Sequence, residues 1–545
     1  MLENDRIKVA QGENPCYLLL NQANRHGLIT GASGTGKTVT LKVLAEGFSR
    51  AGVPVFMADV KGDVTGIAQA GEDTAALRER AEKLGAAGWQ PQGCPTRLWD
   101  MLGDGGIPVR VTVSDMGPDL LASLLDLTDV QAGVLSVAFR VADDHGMLLI
   151  DLKDLRAMLT YLADHAKEVE VAYGRVSSQS IGAIQRALLT LEDEGGDIFF
   201  GEPALDLADW LVCDDAGQGI VNVLAAARLM GSPRIYAMFL LWMLGELYET
   251  LPEVGDAAKP KFVFFFDEAH LLFSNMPRAL ADKIVQTVKL IRSKGVGLYF
   301  ISQSPADIPD EVLAQLSNRI QHGLRAYTPA EQKAVRAAAQ AFRENPAFNA
   351  EEALLEVGTG EALVSFLNGE GQPSVVERAK VLPPECLMAA ASEETLAAVR
   401  EASAPLLEKY GQAVDRESAY ELINAERAEA AEADALAKER EALEAERAAF
   451  EKEKAAAEAK ERKEAQRAAD AAAKAAEKQA AKEAALAQKE AERAAREAER
   501  EAERAAKAEQ KQREQMAKTV NSVIGQIGRE AGRQLMRGLF GNLRR

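Results

Sequence analysis

The chain has 545 residues, of which 47% are hydrophobic, so it can bury a large core and is long enough for two or more domains. Its net charge is −19, and the acidic excess lies before residue 425. Such a surface excludes a broad nucleic-acid footprint and restricts any DNA contact to a narrow basic lining. The four cysteines, Cys16, Cys94, Cys213 and Cys386, are widely spaced, which predicts ordinary buried thiols in a reducing cytosol rather than a zinc site or disulfides.

The sequence shows neither a signal peptide nor a membrane span. Its N-terminus lacks the basic and apolar regions of a signal peptide, and the longest apolar run, residues 235–244, has about half the length of a span. These features predict a cytoplasmic protein with no transmembrane segment.

A phosphate-loop motif of the form G-x-x-x-x-G-K-[ST] begins near the N-terminus, as Gly31-Ala32-Ser33-Gly34-Thr35-Gly36-Lys37-Thr38. Its backbone N–H groups can surround phosphate oxygens, while Lys37 reaches the β- and γ-phosphates and Thr38 ligates Mg²⁺. The apolar run at 27–30 predicts the strand that enters the loop, and residues 39–45 predict the helix that leaves it. The motif therefore predicts binding of ATP with Mg²⁺.

Short apolar strands alternate with helical patterns up to about Pro384. The predicted strands cover residues 53–59, 109–113, 219–224, 261–266, 297–302 and 319–326. This alternation indicates parallel β-α-β units. We therefore predict an α/β fold, a P-loop NTPase of the RecA/ASCE-like type with a parallel sheet, and residues 116–211 predict a helical insertion carried on that sheet.

Two adjacent carboxylates, Asp267 and Glu268, follow the apolar strand at 261–266. Asp267 can hold the water shell of Mg²⁺ while Glu268 polarises the attacking water. The structural alternative is a strand followed by a helix-capping acid. With the phosphate loop in the same chain, the pair predicts hydrolysis as well as binding. His270 is interpreted as a packing or coupling residue with no role in proton transfer.

Gln303 follows the predicted strand at 297–302, at the strand end where open α/β sheets place ligand-contacting groups. We predict that Gln303 senses the γ-phosphate. A loop glutamine that bonds only to backbone groups is the alternative.

Residues 425–515 consist almost entirely of strong helix formers and predict one long charged helix. Leu436, Leu443 and Phe450 recur every seven residues, but the repeat then weakens to alanine. A long solvated helix or a weak Ala-rich coiled coil is therefore expected rather than a strong zipper. Residues 516–545 predict a basic amphipathic tail that docks on the acidic domain or on a partner, with membranes and nucleic acid as alternatives.

Four short segments resemble the HerA/FtsK group of P-loop motors. They are residues 24–31, residues 59–63 (Asp-Val-Lys-Gly-Asp), residues 267–270 (Asp-Glu-Ala-His) and residues 302–305 (Ser-Gln-Ser-Pro). Within this group the chain is most similar to the HerA-like helicase branch of the YjgR type, over about residues 5–390. The resemblance implies a hexameric ring that pumps duplex DNA through a central pore, with each site completed by an arginine of the neighbouring subunit.

The resemblance also implies roles for particular residues. Arg292 matches the position of the arginine that acts on the neighbouring site, Arg319 and Arg325 match it less well, and a helix-surface arginine is the alternative. Asp59 and Lys61 are implied to have an accessory role beside the phosphate loop. HerA translocases carry an N-terminal β-barrel for partner docking, whereas this phosphate loop begins at residue 31. No such barrel is expected, and the helical tail is the candidate replacement.

The sequence thus predicts a HerA-like ATPase domain (1–390), a helical connector (391–424), the long charged helix (425–515) and the basic tail (516–545). The expected function is Mg²⁺-dependent ATP hydrolysis by a homo-oligomer, expected to be a hexamer, that translocates or unwinds double-stranded DNA. The alternative is an ATP-switched remodelling or scaffold protein that acts on proteins or at a membrane surface. An unidentified protein partner is expected at the C-terminal helix.

Overall fold

The computed structural model describes residues 2–472, apart from 87, 104, 256 and 274–277, together with residues 498, 500–504 and 507. The described residues divide into two compact units. The first contains the residues up to 139 and residues 149–416, and the second contains residues 140–148 and the described residues from 417 onward. All strands of the sheet belong to the first unit.

The described residues of the first unit form one sheet of 13 strands. Its strands are β1 (Leu2–Glu3), β2 (Arg6–Gln11), β3 (Pro15–Leu19), β4 (Gly27–Thr30), β5 (Val55–Asp59), β6 (Thr96–Asp100), β7 (Ile107–Pro108), β8 (Val221–Ala225), β9 (Phe262–Phe266), β10 (Val296–Ser302), β11 (Asn318–His322), β12 (Glu361–Ser365) and β13 (Glu377–Val381). Their order is β1-β2-β13-β12-β11-β4-β10-β9-β5-β8-β6-β7, and β3 pairs with β2. The strands from β11 to β7 are parallel, whereas β1, β2, β3, β12 and β13 pair antiparallel.

Helices connect and extend these strands. The described α-helices are α1 (Lys37–Arg50), α2 (Ala75–Lys83), α3 (Val113–Met116), α4 (Pro118–Leu124), α5 (Asp129–Asp144), α6 (Leu152–Asp164), α7 (Ala166–Tyr173), α8 (Ser178–Asp193), α9 (Gly196–Phe199), α10 (Pro233–Thr250), α11 (His270–Phe273), α12 (Arg278–Leu290), α13 (Asp310–Leu313), α14 (Pro329–Gln340), α15 (Ala350–Glu356), α16 (Glu393–Ala402), α17 (Ala404–Tyr410) and α18 (Ala419–Ala472). Short 3₁₀ helices cover Leu20–Arg25, Val64–Ala68, Leu207–Trp210, Arg228–Gly231, Ile291–Lys294 and Pro305–Asp307.

Helices pack on both faces of the parallel strands. On one face, the ring of Phe265 in β9 lies 6.3 Å from that of Phe48 in α1. On the other face, the neighbouring Phe264 lies 5.3 Å from Phe56, whose ring lies 6.3 Å from Phe239 of α10. Consecutive side chains of a strand point to opposite faces, so a strand covered on both sides is apolar throughout. The predicted α/β fold with a parallel sheet is confirmed.

Five of the six predicted strands coincide with β5, β8, β9, β10 and β11, but the strand predicted at 109–113 is wrong. Val111 forms only an isolated bridge with Phe200. Two residues later α3 begins, because the Thr112 hydroxyl accepts a hydrogen bond from the Asp115 N–H at 3.0 Å and caps the helix. Helices α4 to α9 lie within the segment for which the sequence predicts a helical insertion.

The four cysteines are free thiols. Cys16, Cys94 and Cys386 are buried, as predicted, but Cys213 is exposed, so the prediction of a buried thiol is wrong there. Cys213 comes just before β8, and its sulfur lies at the surface, 3.6 Å from the carbonyl oxygen of Gly52.

The C-terminal predictions fall only partly on described residues. Helices α16 and α17 occupy the predicted connector, and α18 covers the first part of the predicted long helix. Leu436, Leu443 and Phe450 are exposed on α18. Most of 473–515 and all of 516–545 lie outside the described residues, and the proposed domain boundaries stay predictions. Within the described part of the chain, no helix is both long and apolar enough to cross a membrane.

Candidate active site

The phosphate loop connects β4 to α1, and its glycines are required by its backbone. Gly34 and Gly36 have φ angles of +75° and +112°, which residues with a Cβ rarely adopt. A Cβ at Gly36 would also lie 3.3 Å from the backbone nitrogen of Gly360. The predicted strand and helix on either side of the loop are present as β4 and α1, so the motif has the strand–loop–helix context that phosphate binding needs.

Residues at the end of β11, far along the chain, form hydrogen bonds to the phosphate loop and to α1. The Ala32 N–H donates to the Gly323 carbonyl oxygen at 2.9 Å. His322 lies with Nε2 2.8 Å from the Thr40 hydroxyl of α1 and Nδ1 3.0 Å from the Glu361 carbonyl oxygen. Burial lowers the pKa of His322 to about 4, so the ring is neutral at pH 7. Sequence reasoning missed this support, because no motif marks the end of β11 as the neighbour of the loop.

Lys37 and Thr38 occupy the first turn of α1, as the motif predicts. The Lys37 ammonium donates to the carbonyl oxygens of Gly31 at 2.7 Å and Ala32 at 3.1 Å. Burial lowers the pKa of Lys37, and the nearby positive charge of Lys61 lowers it further. Thr38 is half-buried beside it. The ammonium group is thus held at the loop itself, where phosphate oxygens would be bound.

Asp267 follows the last residue of β9 and is almost fully buried. Its Oδ1 accepts a hydrogen bond from the Glu268 N–H at 2.9 Å, whereas its Oδ2 is buried with no hydrogen-bond partner among the described residues. Burial raises its pKa to about 6, and the negative charge of Glu268 adds to this effect while Lys61 opposes it. A buried carboxylate oxygen without a partner fits a group that receives a hydrated cation.

Glu268 is also buried, and its backbone lies in the left-handed region with φ of +49°. Its Oε1 forms an ion pair with the Lys61 ammonium. His270 Nδ1 lies 3.2 Å from its Oε2, within ion-pair distance but without hydrogen-bond geometry. Burial favours the protonated acid, but the Lys61 hydrogen bond and charge, with His270 and Gln303, outweigh it and hold the pKa of Glu268 below its usual range.

The loop after β5 directs Lys61 toward Glu268. Asp59 is buried at the end of β5, and its carboxylate accepts hydrogen bonds from the Gly62 N–H at 2.6 Å and the Thr65 N–H at 3.1 Å. Gly62 has a φ of +81°, which allows the chain to turn there. Asp59 therefore shapes the loop, and Lys61 is the residue of the pair that contacts the acidic site.

Gln303 lies at the end of the strand between the phosphate loop and the acidic pair. Strand β10 lies between β4 and β9, with Ser302 paired to Thr30 and Phe300 paired to Phe266. Because parallel strands end at the same edge, Gln303 follows β10 beside both motifs. Its side chain is exposed and close enough to the Glu268 carboxylate to help lower the pKa of that group.

Arg292 does not lie with these residues. It is exposed in the 3₁₀ helix Ile291–Lys294, before β10, and Gln303 follows that strand. The seven residues of β10 place the two at opposite ends of the strand, roughly 20 Å apart. Arg319 donates to the carbonyl oxygens of Leu316 and Leu313, both at 3.0 Å, so its guanidinium is bound within its own loop.

A glycine-rich loop between strand and helix, with a carboxylate pair and a polar residue at the ends of neighbouring parallel strands, defines the class of P-loop ATPases. Within this class, the chain belongs to the family described as helicase HerA-like, C-terminal, which matches residues 4–470. No match is found among curated proteins.

Two solved structures, of TrwB and VirB4, show distant similarity to this chain. The plasmid coupling protein TrwB in complex with ADP and Mg²⁺ is 15% identical, with 72% of this chain and 92% of TrwB covered and a TM-score of 0.45. VirB4 of Thermoanaerobacter pseudethanolicus is 17% identical, with 73% of this chain and 99% of VirB4 covered and a TM-score of 0.43.

Proposed function

We propose that the protein hydrolyses ATP with Mg²⁺ as its cofactor. The observation that supports this most directly is the meeting of the phosphate loop, Asp267, Glu268 and Gln303 at one edge of the sheet. Thr38 and Asp267 would hold Mg²⁺, since they offer a hydroxyl and a buried carboxylate oxygen that has no hydrogen-bond partner in the part of the chain that the structure describes. When bound, Mg²⁺ neutralises charge on the phosphates.

Each residue then has a defined part in hydrolysis. The loop N–H groups and Lys37 bind the phosphates, and Gln303 contacts the terminal one. Glu268 polarises a water molecule whose oxygen attacks the γ-phosphorus. The bond from that phosphorus to the bridging oxygen of ADP breaks, and Glu268 accepts the water proton. The products are ADP and inorganic phosphate.

We further propose that copies of the chain assemble into a ring, expected to be a hexamer, that moves or unwinds double-stranded DNA. Membership of the HerA-like helicase family supports this proposal. The exposure of Arg292 at the strand end opposite Gln303 also supports it, because an arginine there cannot reach the site of its own chain and is open to contact from a second copy. The spacing of the cysteines supports a cytoplasmic location.

A second candidate is an ATP-switched remodelling or scaffold protein that acts on proteins or at a membrane surface. Two observations favour it. The net charge of −19 disfavours extended contact with a polyanion. In addition, Leu436, Leu443 and Phe450 are exposed at seven-residue spacing on α18, where an unidentified protein partner or a second copy could pack.

Steady-state ATP hydrolysis with and without linear duplex DNA, at low and moderate salt, tests both candidates. The wild type is expected to hydrolyse ATP, whereas Lys37→Ala and Glu268→Gln are expected to lose at least about 100-fold in turnover. Stimulation by DNA that fades as salt rises supports the motor. Hydrolysis indifferent to DNA favours the second candidate, and wild-type turnover in either variant contradicts the assignment of the site.

A further inference from the structure

Lys61 forms an ion pair with Glu268, the carboxylate on which the proposed hydrolysis depends. Its ammonium is paired with Oε1 of Glu268, and the Glu268 side chain is only 6% exposed. A carboxylate engaged in a charge-assisted hydrogen bond is a weaker acceptor for a second donor such as water. The pair therefore opposes water activation by Glu268.

The backbone under Lys61 is fixed, but its side chain has room to move. The Asp59 carboxylate, which precedes Lys61 in the chain, accepts hydrogen bonds from the N–H groups of Gly62 and Thr65, which follow it. Thr65 in turn accepts a hydrogen bond from the Ala391 N–H at 3.2 Å. The Lys61 side chain, by contrast, is 47% exposed. A lysine on a rigid turn can exchange partners within the reach of its flexible stem without rearranging the fold.

Lys61 lies near Lys37. Lys61 is close enough to Lys37 for its charge to act on that ammonium, and Glu268 acts on both lysines. An anion bound at the phosphate loop would therefore meet two ammonium groups. One of them, Lys61, would have to leave a carboxylate to bind it. A terminal phosphate offers more negative charge than a carboxylate and is the stronger partner for a lysine.

Building on the proposed ATPase function, we propose that Lys61 is a switch that exchanges Glu268 for the terminal phosphate of ATP. Binding of the triphosphate moves the Lys61 ammonium onto the γ-phosphate and frees Glu268 to polarise water. ADP has no γ-phosphate and leaves the ion pair in place. Lys61 thus releases Glu268 only when the γ-phosphate that is to be hydrolysed is present.

The test compares the binding of ADP with that of a non-hydrolysable ATP analogue, both with Mg²⁺, to the full-length protein by titration calorimetry. In Lys61→Met, affinity for the analogue is expected to fall about tenfold while affinity for ADP changes less than about twofold. Lys61→Arg is expected to retain most of the analogue affinity. Lys83→Met removes a surface lysine that is likewise paired with a glutamate, Glu79, and serves as the matched control.

The exchange predicts an opposite effect for Glu268→Gln, because Lys61 no longer has to leave a carboxylate. This variant is expected to bind the analogue several-fold more tightly than the wild type, with unchanged ADP affinity, and Lys61→Met in the same chain is expected to abolish the gain. An equal loss for both nucleotides in Lys61→Met, or a gain in Glu268→Gln that persists without Lys61, would overturn the switch. A wild type that binds neither nucleotide would instead overturn the proposed ATPase function.

Discussion

Glu46 is a fully buried carboxyl group in α1, the helix that follows the phosphate loop. It accepts hydrogen bonds from the N–H groups of Glu385 at 3.0 Å and Cys386 at 2.6 Å. Burial raises its pKa from 4.5 to about 7, although the bonds from Cys386 and the charges of Arg50 and Lys42 oppose the shift. The folded protein therefore holds this proton up to about pH 7, whereas the unfolded chain releases it near 4.5.

Because the folded state binds more protons than the unfolded state between these two values, Glu46 lowers the free energy of unfolding as the pH rises from about 4.5 to about 7. Glu46→Gln removes this titration and keeps an oxygen for the backbone N–H groups. The free energy of unfolding, measured with urea, is expected to fall between pH 5 and pH 8 by about 1 to 3 kcal/mol less in the variant than in the wild type. The exposed Glu82→Gln is the control, and parallel pH curves for Glu46→Gln and the wild type would contradict the prediction.

At this scale, sequence reasoning identifies residues whose chemistry is fixed by a local motif. Lys37, Thr38, Asp267 and Glu268 were predicted from their spacing, and the structure brings them to one edge of the sheet. The sequence does not predict the ion pair of Lys61 with Glu268, and the family resemblance implies only an accessory role for Lys61. The partners are far apart in sequence, and only the order β9-β5 in the sheet makes their strand ends adjacent.

Among the elements, the 3₁₀ helix Val64–Ala68 is clamped to the segment that precedes α16. The buried Lys42 ammonium donates to the carbonyl oxygens of Asp63 at 2.7 Å and Leu387 at 2.8 Å, which joins α1 to both segments. A Cβ on Gly66 would lie 1.9 Å from the carbonyl oxygen of Ala389 and 2.4 Å from that of Leu387. The two segments thus approach as closely as a glycine allows.

Gly66→Ala is therefore expected to lower the free energy of unfolding by at least about 2 kcal/mol, since backbone atoms must move apart to admit the methyl group. Gly133 provides the matched control, because it lies in α5 and no atom of the described residues lies within 4 Å of an added Cβ. Gly133→Ala is expected to raise the free energy of unfolding by about 0.5 to 1 kcal/mol, as alanine favours the helix. Urea denaturation measures both changes, and equal effects of the two substitutions would refute the clamp.

The elements differ in how well the sequence predicts them. Strands β9 and β10 are apolar on both faces, so five or more consecutive apolar residues mark them. Strands β12 and β13 include charged residues such as Glu361 and Lys380, which lie opposite each other in the ladder. In the sequence, segments with such charged residues resemble surface loops. The segment at 109–113 has the composition of a strand, yet the hydroxyl of Thr112 caps a helix there. Pairing and capping override composition in these segments.

At the scale of the whole molecule, the position of Arg292 bears on assembly. The backbone carbonyl of Arg292 accepts a hydrogen bond from the Asn24 side chain at 3.4 Å, and His26 lies 2.9 Å from the Val288 carbonyl oxygen one turn earlier. His26 also accepts from the Leu298 N–H at 3.0 Å. The segment that carries Arg292 is thus attached to the sheet, with the arginine exposed at the strand end away from its own Gln303. An arginine on a segment whose backbone is fixed to the sheet is suited to contact the nucleotide bound in a neighbouring subunit.

If Arg292 completes the site of a neighbour, Arg292→Ala is expected to lose at least about 1000-fold in ATP turnover while nucleotide affinity changes less than about threefold. Glu268→Gln is also expected to be inactive, but a mixture of the two variants is expected to regain activity. In a randomly mixed ring, about a quarter of the interfaces pair an intact Glu268 of one subunit with an intact Arg292 of its neighbour. Mixing either variant with the double variant Arg292→Ala, Glu268→Gln leaves no such interface and serves as the control. An Arg292→Ala protein with wild-type turnover would exclude Arg292 from the site. Loss of turnover without recovery on mixing would show that Arg292 does not act on the site of a neighbouring subunit.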